Sequence, residues 1–482
     1  MKLETLFMFE KKYNLHNRKI LNINYWDFCR MNIFYELKSK YEGTNKVADI
    51  CKKTKLKDKK IYFKHFFRYT FFNKKNIDLL FLSDPRRTKE LDKYKSIFID
   101  PIANNLSSKY NCMTIEEPSW RAWGYGMPPH FYPTTSLNLK YIDLYEFYFL
   151  IKKRFFDKKK KKTIENELDY LYKIIFNEFN IDISYTKNVF TDLIIYFIVM
   201  DKTYFKLIKK LNPKVVLINY RPTYFKVLIN SICRKNNIPT IDLQHGVISK
   251  NDPLERKNPL GYNLYSTSDY LFGYGEKLVD KTNLCFHDKN IKYVGYPFLE
   301  NKITSKIKVP NFMKENIKYI LIISQSISGE QFAKFATDLA DKLKDNHNFK
   351  IIFKYHPNEL SKNLFNTKKN NIIEIKTLEY DIYQLQKYSY CQIGAYSTGL
   401  YEGLCFQLPT IILKDLPGAD GTIEILKYIK KGVFCVKDAN ELSKILDSLE
   451  KPEKKDIDLL WKSNSLKNIE EEINKIIKNY DK

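Results

Sequence analysis

Residues 391–415, CQIGAYSTGLYEGLCFQLPTIILKD, carry the densest chemistry in the chain. They read as a buried strand, a small-residue turn at Ser397, Thr398 and Gly399, and a short helix that carries Glu402 and ends before Pro409. Free N–H groups at a helix start, and the helix dipole, favour an anion at such a turn. The hydroxyls of Ser397 and Thr398 add donors. Glu402, one turn on, is placed to accept from ribose hydroxyls. Together these residues could hold a nucleoside monophosphate or diphosphate without a P-loop. Ser/Gly turns also close αβ crossovers that bind nothing, so two companion motifs matter.

Past the apolar run KIIFK, the sequence KYHPNE sets Lys354, His356, Pro357 and Asn358 at a strand end, where ligands gather in open α/β sheets. A histidine there can donate to a phosphate or a leaving oxygen, and Pro357 tends to stop the strand. Upstream, ISQSISGE places Gln325, Ser326, Ser328 and Gly329 between a strand and a helix. There they can offer N–H and hydroxyl donors to the same phosphates. In the first half, LQHG puts Gln244, His245 and Gly246 past the run TIDL. Imidazole titrates near neutrality, so His245 is the expected acceptor-side base, with Gln244 beside it and Gly246 exposing it. SDPRR and FIDP place Asp84, Arg86, Arg87 and Asp100 at strand ends. Either aspartate is a reserve base and the arginines can hold an acceptor anion. Turn capping by an aspartate before proline accounts for the same pattern. One strand-end histidine in each half is what a catalytic cleft between two domains requires.

These motifs need strands that end together. Apolar runs begin at Ile77, Ser96, Val215, Thr240, Tyr270 and Ile291 in the first half. In the second they begin at Tyr319, Lys350, Ile372, Tyr390, Pro409 and Gly432. Helical periodicity separates them. Continuous apolar runs suit strands buried on both faces of a parallel sheet. The expected fold is therefore α/β: two doubly wound, Rossmann-like domains facing a cleft, with helical additions in the N-terminal part. Residues 1–300 form the acceptor-side domain and 301–440 the nucleotide-donor domain. Residues 441–482 are helices that can pack back on the first domain. The polar segment 301–312 is the expected linker. Ser328 and Gln331 have capping-box spacing ahead of an apolar stripe of Phe332, Phe335, Ala336, Leu339 and Leu343. Residues 1–70 and 110–189 read as helix-rich or irregular. GYGE at 273–276 lacks the third glycine of a dinucleotide fingerprint.

Composition bounds the partners. The formal charge of +26 favours anionic ones, although compositional drift toward Lys, Asn and Ile would also produce it. Hydrophobic content of 44% with 15% aromatics excludes a disordered chain. The eight cysteines form no C-x-x-C pair and no zinc spacing. Cys391 and Cys435 lie in apolar runs and read as small buried hydrophobes of a reducing compartment. The N-terminus has no signal-peptide core. The longest apolar run, residues 193–200, falls far short of the roughly 20 residues that span a bilayer. The expected location is cytoplasmic, with peripheral attachment to the inner face of the plasma membrane. The basic run from Lys152 to Lys162, beside Phe147 and Phe149, would attach it; a solvated loop is the plainer account of that run. No stacking-aromatic module points to specific nucleic-acid binding.

Taken together, LQHG, FGYGE, KYVGYPFLE, KYHPNE and STGLYEG with LPTIIL resemble the bacterial GT-B glycosyltransferases of surface polysaccharide synthesis. The similarity is greatest to the capsule and teichoic-acid branch. That branch includes polysialyltransferase-like, Kdo-transferase-like and CDP-glycerol glycerophosphotransferase-like enzymes. The resemblance covers residues 215–440. It implies that His356 and Pro357 in one motif, and Ser397 and Thr398 in the other, bind the donor nucleotide, and that Glu402 meets the ribose. It matches His245 to the proposed base of a W-H-G motif, with Gln244 standing where that motif has Trp. The acidic D/E-D/E-G motif of the polysialyltransferase-like branch is not evident. The implied activity moves a sugar or polyol phosphate from a nucleotide-activated donor to a growing surface polysaccharide or lipid-linked acceptor. It needs no catalytic metal, and no cofactor beyond the nucleotide sugar as co-substrate. Two alternatives stay open. One is a GT-B-fold sugar-nucleotide 2-epimerase, similar in VGYP and STGLYEGL but richer in acidic residues at its site. The other is a non-catalytic membrane-surface scaffold of a capsule assembly complex.

Overall fold

The computed structural model describes residues 2–41, 70, 76–83, 87–90, 92–117, 134–219, 223–250, 256–257, 267–376 and 380–480. The chain divides into two compact units. Unit 1 comprises Met1–Gly273, Asp280–Lys292 and Leu466–Lys482; unit 2 comprises Tyr274–Val279 and Tyr293–Ser465.

The strands of unit 1 are β1 (Leu79–Ser83), β2 (Thr88–Glu90), β3 (Lys93–Lys95), β4 (Cys112–Glu116), β5 (Leu139–Tyr141), β6 (Val215–Asn219), β7 (Thr240–Leu243), β8 (Tyr270–Gly273) and β9 (Ile291–Tyr293). Seven of them form one sheet in the order β5-β4-β1-β6-β7-β8-β9, and β2 and β3 pair antiparallel. Unit 2 has β10 (Lys318–Ile323), β11 (Phe349–Lys354), β12 (Ile372–Ile375), β13 (Cys391–Gly394), β14 (Thr410–Leu413) and β15 (Val433–Val436). Their order is β12-β11-β10-β13-β14-β15, every neighbouring pair parallel. In each sheet the chain winds outward from one strand, returns, and winds the other way. The reversal falls between β1 and β6 in unit 1 and between β10 and β13 in unit 2. Ligands of open α/β sheets sit outside the carboxyl ends of the strands at such a reversal.

The strands are buried on both faces, so alternate residues serve different cores. Leu80, Leu82, Met113, Ile115, Val216 and Ile218 join one core with the helices Leu3–Lys12, Tyr25–Tyr41, Lys158–Phe179 and Lys187–Leu211. These are the helical additions of the N-terminal part. Two of them end on asparagines in the left-handed conformation, Asn180 (φ 53°) and Asn212 (φ 49°), which asparagine tolerates better than most residues.

Several elements differ from expectation. The run from Ser96 is no strand: residues 97–99 turn, and Asp100 opens the helix Asp100–Leu106, with Pro101 in its first turn. β4 and β5 lie inside the stretch read as irregular. Ser328 precedes the helix Gly329–Lys342 without a side-chain cap, so the capping box does not form. The apolar stripe on that helix is buried throughout. Residues 301–312 are not a linker. They begin in the helix Pro297–Thr304 and then pack within unit 2, where Lys387, Tyr388 and Gln384 donate to the carbonyls of Ser305, Ile307 and Lys308. Residues 441–465 lie in unit 2. The basic run is helical: it spans the end of Asp143–Arg154 and the start of Lys158–Phe179. Cys391 is buried as expected, whereas Cys435, on the edge strand β15, is exposed. Among the described residues no helix is long and apolar enough to cross a membrane.

Candidate nucleotide-binding site

In unit 2 the register sets Ile323 opposite Lys354 and Ile322 opposite Ile393, so β10, β11 and β13 end level. Three of the sequence motifs therefore leave the sheet side by side at the reversal. Beyond β10, the Ser324 N–H donates to the Lys354 carbonyl at 3.0 Å. Here Ser324 Oγ, Gln325 Oε1 and Ser328 Oγ are buried and have no hydrogen-bond partner in the protein, and Glu359 Oε1 beyond β11 is in the same state. Each such group costs about 1–3 kcal/mol unless something satisfies it. A cluster of them at strand ends marks a place suited to a polar guest or to ordered water. Ser326 is half-buried in the same segment.

The KYHPNE turn has its own internal lock. The His356 N–H donates to Glu359 Oε2 at 3.0 Å, and the Glu359 N–H donates to the His356 carbonyl at 2.8 Å. Glu359 is fully buried. Its Oε1 lies against Gly329, the first residue of the helix Gly329–Lys342; a Cβ at that position would come within 1.8 Å of it. Only glycine fits. A protein carboxylate thus stands at the start of this helix and complements its dipole, which disfavours a second anion there. The expected help of that helix to donor phosphates is weakened accordingly; the orphaned hydroxyls of Ser324 and Ser328 before it are the better donors, while Gln325 offers an acceptor oxygen. Burial depresses His356 below the usual imidazole range, with Glu359 resisting, so at neutral pH it is a neutral donor or acceptor. Burial also lowers Lys354 to about 8, with Asp381 opposing. Asp381 caps the helix Ile382–Tyr388 by accepting from the Gln384 N–H at 2.7 Å, and it pairs with Lys302 at 2.7 Å.

Beyond β13, Ser397 caps the helix Thr398–Leu404 by accepting from the Gly399 N–H at 3.2 Å. Thr398 and Gly399 are half-buried. The helix is only seven residues long, so its dipole adds little and the turn's hydroxyls carry the polar chemistry. A buried amide network fixes this turn. Gln386 Nε2 donates to the Gly399 carbonyl at 2.6 Å and to Gln392 Oε1 at 3.0 Å. Gln392 Nε2 in turn donates to the Leu400 carbonyl and to Thr410 Oγ1, both at 2.8 Å. Gln386, Gln392 and Glu359 had no role in the sequence reading. The available signal was a glutamine inside an apolar strand run, CQIG, and a glutamate three residues after His356. Glu402 is partly buried; burial raises it to about 7, and the Tyr383 hydroxyl pulls it back.

The unit 1 candidates divide. His245 is half-buried just past β7, one strand beyond the reversal. Gln244 is buried and donates through Nε2 to the Gly246 carbonyl at 2.7 Å, so it closes the turn rather than facing an acceptor. Arg87 is committed inside the protein: it forms a buried fork with Glu116 and donates to the Tyr141 hydroxyl at 2.8 Å. Burial opposes its charge, but Glu116 outweighs that and holds it protonated. It is therefore unsuited to clamping an acceptor. Asp100 is also structural. It is fully buried and accepts from the Ser96 N–H at 3.2 Å and from the Thr135 and Ser136 hydroxyls at 2.5 and 2.6 Å. Burial raises its pKa against those bonds, and complete burial keeps both oxygens away from an acceptor. Asp84 and Arg86 lie outside the described residues, as does the side chain of Asn358.

The chain resembles solved structures at low sequence identity. A UDP-GlcNAc 2-epimerase from Methanocaldococcus jannaschii superposes with a TM-score of 0.50 at 13% identity, covering 83% of this chain and 100% of that one. The fold is GT-B. A UDP-GlcNAc 2-epimerase from Neisseria meningitidis bound to UDP-GlcNAc gives 0.49 at 13% identity, over 83% and 100% of the two chains. The glycosyltransferase SnogD from Streptomyces nogalater gives 0.42 at 11% identity, over 84% and 96%. No family model matches the sequence, and no curated relative matches it. The GYGE and VGYP glycines have packing roles in this fold. A Cβ on Gly275 would strike the Leu460 carbonyl, and one on Gly295 (φ 90°) would strike that of Lys462.

Proposed function

We propose that this protein is a glycosyltransferase that moves a sugar or polyol phosphate from a nucleotide-activated donor to a glycan or lipid-linked acceptor of surface polysaccharide synthesis. The observation that carries this reading is the set of unpartnered polar atoms on Ser324, Gln325 and Ser328 at the unit 2 reversal, flanked by Lys354, His356 and Ser397. That grouping suits a nucleoside diphosphate: two hydroxyl donors, one cation and one neutral imidazole for the phosphates, with the Gln325 oxygen left to accept from a sugar or ribose hydroxyl. In the proposed sugar transfer the acceptor oxygen bonds to the donor carbon as the carbon–phosphate-oxygen bond breaks; with a polyol phosphate it bonds instead to the phosphorus as the P–O bond to the nucleoside monophosphate breaks. Lys354 and the donors take up charge developing on the departing phosphate, and Glu402 accepts from the ribose. The acceptor proton passes to a base, for which His245 is the candidate, with Asp84 in reserve and the buried Asp100 placed last.

A thermal-shift screen with nucleotides tests the donor site, since a ligand that binds only the folded state raises the melting temperature. Incubation with the stabilising nucleotide's sugar conjugates, with and without a glycan acceptor, tests the reaction. Acceptor-dependent nucleotide release is expected. An isomerised nucleotide sugar without acceptor would establish the epimerase reading instead, and neither product would leave a binding protein.

A further inference from the structure

The helix Asp143–Arg154 buries Phe149 and Glu146 in unit 1, yet it presents Phe147, Leu150 and Ile151 to solvent at 62%, 53% and 44% exposure. Phe155, just past its end, is 78% exposed. Positions 147, 150, 151 and 154 follow the i, i+3, i+4, i+7 spacing of one helical face, so the apolar stripe runs directly into the exposed Arg154. Phe155 and Phe156 then turn the chain, and Asp157 caps the next helix by accepting from the Lys160 N–H at 2.8 Å. That helix opens with five consecutive lysines and has no acid in its first turn. Cations at a helix N-terminus oppose the dipole. Lys161 has a 3.8 Å pair with Glu165, and no ion pair is found for Arg154, Lys158, Lys159, Lys160 or Lys162 among the described residues. Like charges crowded at the unfavourable end of a helix, beside four exposed apolar side chains, call for an anionic surface with an apolar interior.

We infer that this corner of unit 1 docks on an anionic lipid bilayer, with Phe147, Leu150, Ile151 and Phe155 entering the headgroup–acyl boundary and the Lys158–Lys162 turn held against lipid phosphates. Charge complementarity chooses this occupant over a second copy of the chain, whose matching face would bring the same lysines together. The two contributions differ in kind: the apolar one is insensitive to salt, and the electrostatic one is screened within about a Debye length. The inference is independent of the donor site in unit 2.

Co-sedimentation of the full chain with phosphatidylcholine vesicles, with and without phosphatidylglycerol, tests it. Binding should require the anionic lipid and weaken with salt. Replacing Lys158, Lys159, Lys160 and Lys162 with Gln should cut partitioning roughly six-hundredfold, at about fivefold per lysine. Replacing Phe147, Leu150 and Phe155 with Ser should cut it about tenfold or more even at low salt. All these positions are exposed, so an unchanged melting temperature confirms that both variants fold. Equal binding to neutral vesicles, or no binding to either, overturns the inference. So does loss in the lysine variant with none in the apolar variant, which would describe a bare polyanion surface. Sedimentation velocity showing self-association that the Ser variant abolishes, without vesicle binding, would assign the face to a second copy instead.

Discussion

Burial holds Lys354 at about 8, with Asp381 resisting, and a bound phosphate would raise it again. Donor affinity is then full below about pH 8 and is lost as pH rises through that value, by up to about tenfold per unit until the pKa of the complex is reached. Calorimetry from about pH 6.5 to about pH 9.5 should show this limb, and Lys354→Met should remove it; a wild-type Kd flat to the top of that range would take Lys354 out of the site. If His356, neutral at pH 7, gives one hydrogen bond to the departing phosphate, His356→Ala should lower turnover about 10²-fold. For Glu402 the sign runs the other way. Its folded pKa of about 7 exceeds the ordinary 4.5, so the folded state binds the proton more tightly than the unfolded chain. Stability from this group is fully present below about 4.5 and is lost as pH rises toward 7. The melting temperature of Glu402→Gln should therefore gain on wild type between those values and then level, while its nucleotide affinity falls by about 1–3 kcal/mol if the carboxylate meets the ribose. The strand-end placement of Lys354, His356 and Ser397 was legible because each follows a long apolar run. The parts of Glu359 and Gln392 were not, because Glu359 lies against Gly329 and Gln392 joins Gln386, Leu400 and Thr410, contacts that local pattern does not show. Arg87 and Asp100 read as functional for the same reason in reverse: their partners, Glu116, Tyr141, Thr135 and Ser136, are invisible to local pattern.

Two loops of unit 2 meet at one side chain. Glu359 ties the turn after β11 to the first residue of the helix after β10, and Gly329 leaves it just enough room. Gly329→Ala would force the carboxylate off its place and release the His356 N–H. The expected cost is about 1–3 kcal/mol in stability, with a rise in donor KM. Glu359→Ala should do the same through the same contact, so the double variant should be little worse than either single one. Strict additivity in that cycle would mean the two positions act separately. Elements were legible where they are long and buried on both faces, as β10 and β11 are. β4 was missed because CMTIE mixes polar residues into five positions, and β5 because three residues carry no pattern. The run at Ser96 looked like a strand because five residues before a proline cannot distinguish a strand from the approach to a helix. A lysine run reports exposure and says nothing about conformation, which is why helical residues 158–162 read as a loop.

At the scale of the molecule, neither unit is one stretch of chain. The boundaries at 273/274, 279/280, 292/293 and 465/466 pass the chain back and forth, so a cut at residue 300, where the composition suggested one, would leave unit 1 without its last helix. That helix, Ser465–Tyr480, buries Ile469, Ile473, Ile476 and Ile477. It is pinned to unit 1 by Lys109 donating to Glu470 at 3.0 Å, by the Tyr110 hydroxyl donating to Asn474, and by a 3.8 Å pair between Lys292 and Glu472. The exposed ion pairs contribute little; the isoleucines carry the attachment. Ile473 is completely buried, so Ile473→Ala should cost about 2–5 kcal/mol. With unfolding of two units, a single melting temperature is poorly defined, and calorimetry should be read for the transition of unit 1. That transition should fall by about 4–10 °C, whereas a nucleotide's affinity for unit 2, measured below it, should be unchanged. Equal losses in both would mean that the units unfold as one and that the last helix supports the donor site as well. No shift in either transition would mean that the helix is not docked in solution.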